Sequence, residues 1–407
     1  MYRLLLLALI AALSFVSINA QEVEDTIKIK TRVVFLDALV KDKKTNLPIS
    51  NLTPENFEVL DDGKPRDISY FTREGQARKP LALIIILDLR EDGAGRFLKQ
   101  PEILNAMVAE LAKLPPGDEV AIMAMDMAED EERFWLTPFT NDRAMIAAAL
   151  AHVPSLCGPN TAPLPEGAER ITHSVQGEGK PEDIIETETI RGRKGGTVTR
   201  ETRRDGSVNV KRVDKKGNVT IDLGDVYDMA AAVRDATRKA EQVRPNSQAS
   251  IVWVSDGIAP IFFEDRDATE QIIIRKNVIF NSLTVEMRTL FKFLMPIGKP
   301  VAGWLGVSLY GSAKHLAQRS GGEAVKVGRA KDYGTGLSKI IGNLTACYSL
   351  GFALAESEID DGRMHSLEVR VKAKDEKGKN RKLLVSSRQG YYMSSTIPKE
   401  AAAKAQD

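Results

Sequence analysis

Apolar and polar positions change rhythm along the chain, and residues 81–92, LALIIILDLRED, hold the most informative change. The apolar run there shows no alternation and stops on one carboxylate, Asp88. It is short, rich in Ile and Leu, entered from Pro80 and followed by the charged, Gly-containing DLREDGAG. That pattern predicts a strand buried on both faces, as in a parallel sheet covered by helices, rather than a buried helix. Asp88 then stands at the carboxyl end of a central strand, where open α/β folds place their sites.

Before this strand, residues 27–41 alternate apolar with polar and predict one long strand or two. Residues 57–60 and 68–71 flank Asp61-Asp62-Gly63-Lys64, and Asp-Gly between β-prone runs signals a hairpin. Residues 26–76 are therefore expected to form a small N-terminal β module. From residue 80 to 355 the rhythm alternates between helix and strand. Helices are expected over 97–114, from an Asn141 cap through 151, and over 225–243, 266–294, 313–319 and 337–344. Strands are expected at 118–125, 134–139, 249–255, 302–310, 323–327 and 347–355. Such alternation predicts an α/β fold with a doubly wound, mostly parallel sheet.

Residues 158–222 interrupt that domain. Their first part has the composition of a disordered linker, and their second alternates like an exposed β-meander. The basic run at 191–204 could meet an acidic partner, but a solvated strand face is the simpler account. Residues 365–372 and 382–387 alternate around a polar turn, so 356–393 is expected to be a C-terminal hairpin packing with the N-terminal module. Residues 394–407 are expected to be a flexible tail.

Composition adds class and compartment. The 407 residues are 43% hydrophobic and 28% charged, ordinary for a soluble globular protein with room for two or three domains. A net charge of +1 points to neither nucleic acid nor an anionic membrane. In residues 1–20, Arg3 precedes an apolar run that closes on Ser17-Ile18-Asn19-Ala20, the layout of a secretory signal cut after Ala20. The run is short for an anchor helix. The expected product is periplasmic or secreted, with no membrane insertion after signal cleavage. An oxidising compartment permits disulfides, but Cys157 and Cys347 are too few for a framework.

Catalytic patterns find no support. His152, His173, His315 and His365 are scattered, and no His-Glu-x-x-His, Gly-x-Ser-x-Gly or Walker-type pattern occurs. Gly93-Ala94-Gly95 follows a strand and precedes a helix, but Leu98 stands where a dinucleotide loop needs its third glycine. A flexible strand-to-helix turn is the simpler reading.

Four stretches together resemble the von Willebrand factor A-related domain proteins of the acidobacterial type. They are VKDKKTNLPISNLTPENFEVLDDGKPRDISYF, ALIIILDL, HLAQRSGGEAVKV and the closing YSLGFALAES with its following strands. The resemblance implies a von Willebrand factor A-like sheet of strand order 3-2-1-4-5-6 with one antiparallel edge, flanked by small β modules at both ends. It also implies a divalent-ion adhesion site. That site takes an Asp-x-Ser-x-Ser motif after the first strand, a Thr in a middle loop and an Asp after the fourth strand. Here the motif is Asp88-Leu89-Arg90-Glu91-Asp92, Gly224 stands near the Thr position, and the last ligand survives as Asp256. Asp88, Asp92 and Asp256 are thus the expected remnants of a degenerate metal site. Arg90 replaces a ligand with a cation that has no lone pair to donate.

The leading expectation is a non-enzymatic binding or scaffold protein that meets a protein partner in the cell envelope or outside the cell, with no resident cofactor. Arg90, with the amides of Gly93 and Gly95 at a helix start, is the expected partner-binding set. A Mg²⁺- or Ca²⁺-dependent adhesion receptor using Asp88, Asp92 and Asp256 is the alternative, and an enzyme with an unrecognised site the third. In the implied sheet order Cys157 and Cys347 lie near opposite edges. Strands about 4.8 Å apart keep such edges beyond disulfide reach, so both thiols are expected to stay unpaired.

Overall fold

The computed structural model describes residues 32–73, 78–90, 94–125, 133–156, 168–171, 184–191, 197–203, 208–213, 216, 219–220, 229–257, 261–285, 307–308, 311–374 and 378–393. Leu81–Asp88 is a strand with every residue buried. It lies in the middle of a seven-stranded sheet, paired in parallel with Gln248–Ser255 on one side and Glu119–Met125 on the other. Beyond Gln248–Ser255 come Ile279–Val285 and Ala324–Val327, both parallel. Beyond Glu119–Met125 comes the antiparallel Arg133–Thr140. Counted along the chain, these six strands run 3-2-1-4-5-6 with one antiparallel edge, the order that the resemblance implies. A seventh, short strand, Glu169–Ile171, adds itself to that edge.

The missing alternation in residues 81–87 has a direct cause. Leu83, Ile85 and Leu87 pack into one core with the helices Pro101–Leu111, Arg143–Leu156 and Tyr333–Thr345. Ala82, Ile84 and Ile86 pack into a second core, under the helices Met229–Val243, Phe263–Arg275 and Ser312–Ser320. Both faces are covered, so both sets of side chains must be apolar.

The strands at the two ends of the chain share two four-stranded sheets. One is ordered Leu383–Ser387, Arg32–Asp42, Tyr348–Leu354, Tyr70–Thr72, and the other Gly390–Tyr392, Met364–Val371, Phe57–Asp61, Lys64–Arg66. Their inner faces meet in one core that mixes Val34, Leu36 and Val59 with Leu350, Phe352 and Val369. The Asp-Gly turn closes the hairpin at the pair Asp61 and Lys64, with Asp62 and Gly63 both at positive φ, as a two-residue turn of this kind requires.

Several expected elements move. The helix expected over 97–114 is broken into Gly95–Leu98 and Pro101–Leu111, because proline starts the second helix. Asp142, rather than Asn141, caps the next helix, its Oδ1 accepting the amides of Ala144 and Met145 at 2.8 and 3.2 Å. Residues 266–294 are not one helical stretch, since helix Phe263–Arg275 gives way to strand Ile279–Val285. The strand expected at 302–310 reduces, among the described residues, to Val307–Ser308, paired with Ile261–Phe262. Tyr348–Leu354 belongs to the terminal sheets and not to the central one. Met364–Val371 and Leu383–Ser387 do not form a hairpin, for they pair with Phe57–Asp61 and Arg32–Asp42 respectively. Inside the insert, Ile184–Arg191 joins Thr197–Arg203, Val208–Val213 and Val219–Thr220 in an antiparallel sheet, so β structure reaches into the part expected to be linker. Among the described residues no helix is long and apolar enough to cross a membrane.

Candidate functional site

Three elements converge at the carboxyl end of the central strand. Asp88 ends Leu81–Asp88 and is fully buried. Asp256 directly follows Gln248–Ser255, the neighbouring strand, and is 2% exposed. Arg90, two residues past Asp88, turns its side chain back over both carboxylates and is 5% exposed. Its Nε donates to Asp88 Oδ1 at 2.9 Å and its Nη2 to Asp88 Oδ2 at 2.7 Å, the two-pronged fork that a planar guanidinium makes on a carboxylate. Nη2 also reaches Asp256 Oδ1 at 3.2 Å, so one cation bridges two acids from adjacent strands.

Neutral donors complete the cluster. Ser255 Oγ donates to Asp88 Oδ2 at 2.7 Å. The Gly257 amide donates to Ser255 Oγ at 3.3 Å. Tyr333, buried at the start of Tyr333–Thr345, donates its hydroxyl to the Ser255 carbonyl at 3.0 Å. Burial pushes the Tyr333 phenol well above its ordinary pKa of 10.0, and the charges of Asp256 and Asp88 push it further. The phenol therefore remains a donor at any physiological pH. Sequence reasoning missed Ser255 and Tyr333. Ser255 had a faint signal in the VSDG context of Asp256, whereas Tyr333 carried none.

Gly95 sits close by for a steric reason. A Cβ on it would lie 2.1 Å from the Leu89 carbonyl oxygen and 2.6 Å from that of Arg90. Its amide donates to the Arg90 carbonyl at 2.9 Å. The expectation that the Gly95 amide faces an anion is therefore corrected, since its hydrogen is spent closing the turn that folds Arg90 back. The Arg90 guanidinium points inward onto Asp88 and Asp256. Asp92, Gly93 and Gly224 lie outside the described residues.

Mg²⁺ and Ca²⁺ need several oxygen donors arranged around the ion at about 2.0–2.6 Å. Here the guanidinium occupies the space between the two carboxylates that such an ion would bridge, and it repels a second cation. The described donor set does not fit a divalent ion while Arg90 is in place.

The terminal sheets hold a second phenol of the same kind. Tyr391 donates to Asp61 Oδ2 at 3.0 Å, and burial followed by the Asp61 charge raises its pKa. For Tyr333 and Tyr391 alike the folded value exceeds the unfolded one. The stability they contribute is thus complete below pH 10 and is lost as pH rises beyond the unfolded value of about 10. An absorbance titration should show both phenols ionising only as the chain unfolds, and Tyr333→Phe should remove one of the late-ionising groups. An unchanged number in that variant would contradict its burial against Ser255.

No family model matches the sequence, and no curated protein matches it. Among solved structures the chain is similar to the VWA domain of SpRpn10, at 8% identity over 65% of this chain and 94% of that one, with a TM-score of 0.30. The fold is von Willebrand factor A-like. A von Willebrand factor type A protein from Catenulispora acidiphila is similar at 8% identity over 81% and 72% of the two chains, with a TM-score of 0.35. The pilus adhesin SpaC from Lactobacillus rhamnosus GG, in its open conformation, is similar at 8% identity over 84% of this chain and 48% of that one, with a TM-score of 0.33. At these scores the likeness carries no argument of its own, and the strand order described above carries the fold.

Cys347 has a free thiol that burial pushes to a higher pKa, and its Sγ lies 3.2 Å from the Asn343 carbonyl. Cys157 lies outside the described residues, so the expectation for the pair rests on Cys347 alone.

Proposed function

We propose that this chain is an exported, non-enzymatic binding or scaffold protein that engages a protein partner in the cell envelope or outside the cell without a divalent ion. The observation that supports it is the Arg90 bridge. A guanidinium forked onto Asp88 and extended to Asp256 supplies the positive charge that the adhesion site of the resembled family takes from a metal. Its charge is permanent, because arginine is not deprotonated in this pH range. Both carboxylates are ion-paired, a poor setting for a general base, which favours recognition over catalysis. The partner surface on this reading is the rim around the buried cluster, held in shape by it, and not the guanidinium itself.

The test is crosslinking of the purified protein in host envelope and culture-medium extracts, with Mg²⁺ and Ca²⁺ present or with EDTA. The expected result is the same partner recovered at the same yield in both, and N-terminal sequencing of the native protein starting at Gln21. A partner recovered only with the divalent ions would overturn the reading in favour of a metal-dependent adhesion receptor.

A further inference from the structure

The terminal sheets carry a second cluster, remote in sequence from Asp88, in which the ends of the chain meet. His365, in the strand Met364–Val371, is 3% exposed, and its ring stacks against Tyr391 at 5.2 Å between centroids. Both ring nitrogens face carboxylates. Nδ1 lies 3.0 Å from Asp62 Oδ2, and Nε2 lies 3.3 Å from Asp361 Oδ1. Asp62 belongs to the Asp-Gly turn and is fixed there by the Ser366 amide, which donates to its Oδ1 at 2.8 Å. Asp61, one residue earlier, has a side chain only 3% exposed. Its Oδ2 accepts from Arg66 Nε and Nη2 at 3.0 and 2.7 Å and from the Tyr391 hydroxyl, while its Oδ1 is buried with no hydrogen-bond partner among the described residues.

A neutral imidazole has one N–H, yet two carboxylates face this ring. If Nε2–H serves Asp361, then Nδ1 and Asp62 Oδ2 meet lone pair to lone pair, and something positive must lie between them. One ligand atom each from Asp61, Asp62 and His365 fall within 4.8 Å of one another. A tetrahedral ion with bonds of about 2.0–2.2 Å spaces its ligands about 3.3–3.6 Å apart, so small side-chain movements close the set. In the Nε2–H tautomer, Asp361 takes the place of the outer carboxylate that commonly orients a metal-bound histidine. Arg363, which reaches Asp62 Oδ2 at 3.2 Å, is largely exposed and can swing into solvent.

We infer that Asp61, Asp62 and His365 form a binding site for a zinc-class divalent ion, with His365 Nδ1, a carboxylate oxygen of Asp62 and the partnerless Oδ1 of Asp61 as ligands and water completing the shell. One imidazole nitrogen with two carboxylates suits Zn²⁺ better than Mg²⁺ or Ca²⁺, which prefer all-oxygen shells. The ion needs Nδ1 free of a proton, so binding weakens as pH falls. The ion would clamp the hairpin turn near the start of the chain to a strand near its end. This site is independent of the function proposed above and shares no residue with the Asp88 cluster.

The full chain, stripped with EDTA and dialysed, is titrated with ZnCl₂ by calorimetry. One site per chain is expected, weakened about tenfold or more in His365→Gln, whose amide can still hydrogen-bond to both carboxylates. Co²⁺ added to the wild-type chain reads the same site without any variant, through the intense visible bands of a tetrahedral ion. Absence of zinc binding, equal affinity in folded His365→Gln, or a Co²⁺ spectrum without tetrahedral bands would each overturn the site.

Discussion

Arg90→Ala is expected to cost about 3–5 kcal/mol of folding stability, the usual loss when one member of a buried ion pair is removed. Asp88 and Asp256 are both buried, and the guanidinium supplies a bidentate contact to the first and a third hydrogen bond to the second. Without it two buried acids on neighbouring strands lose the cation that bridges them, while the neutral Ser255 hydroxyl still donates to Asp88. Arg90→Lys should cost less, because an ammonium keeps the charge but cannot make the fork. Asp256→Asn in the Arg90→Ala background should return part of the loss, since removing one of two buried like charges relieves the other. Denaturant unfolding of the four proteins measures this. A loss of about 0.5 kcal/mol or less in Arg90→Ala, typical of surface substitutions, would contradict the buried bridge.

The second large effect concerns the ends of the chain. A protein truncated after Ala346 should lose the fold of its first strands altogether while keeping the central sheet. Truncation removes Tyr348–Leu354, which pairs with Tyr70–Thr72, together with Leu383–Ser387, the partner of Arg32–Asp42. It also removes Met364–Val371, the partner of Phe57–Asp61. The small piece that remains exposes half of a shared core and cannot fold alone. The central sheet and all its covering helices lie between residues 81 and 345 and stay complete. Limited proteolysis of the truncated chain should therefore digest residues 32–73 rapidly and spare the strands of the central sheet and their helices. A protease-resistant fragment covering residues 26–76 would contradict the shared core.

The parts of this arrangement that could be read from sequence are those whose cause is local. Residues 81–87 announced a strand covered on both faces because each face is apolar in its own right. Ile279–Val285 escaped notice because Asn281, Ser282 and Thr284 are polar yet buried. Asn281 is satisfied only by the fold: its Nδ2 donates to Ser250 Oγ and the Ile251 carbonyl, and its Oδ1 accepts the Glu323 amide. Tyr348–Leu354 was legible as a strand, but its partners lie about three hundred residues earlier, and nothing in its own pattern says which sheet it joins. At the candidate site, Asp88, Arg90 and Asp256 stand at motif positions and could be read. Tyr333 contributes through packing alone, and Gly95, which looked like a ligand, is there because no side chain fits beside the Leu89 carbonyl.

The most direct measurement is a melting-temperature titration of the wild-type chain and of Arg90→Ser with Mg²⁺ and Ca²⁺, after EDTA treatment. Serine at position 90 removes the guanidinium and restores a neutral oxygen donor beside Asp88 and Asp256. If Arg90 stands in for the ion, the wild type melts at the same temperature with and without either cation. Arg90→Ser then melts lower and regains stability as the cation is added, through binding to the folded state alone. A wild-type chain stabilised by Mg²⁺ or Ca²⁺, with that gain abolished by Asp256→Asn, would contradict the substitution of metal by arginine.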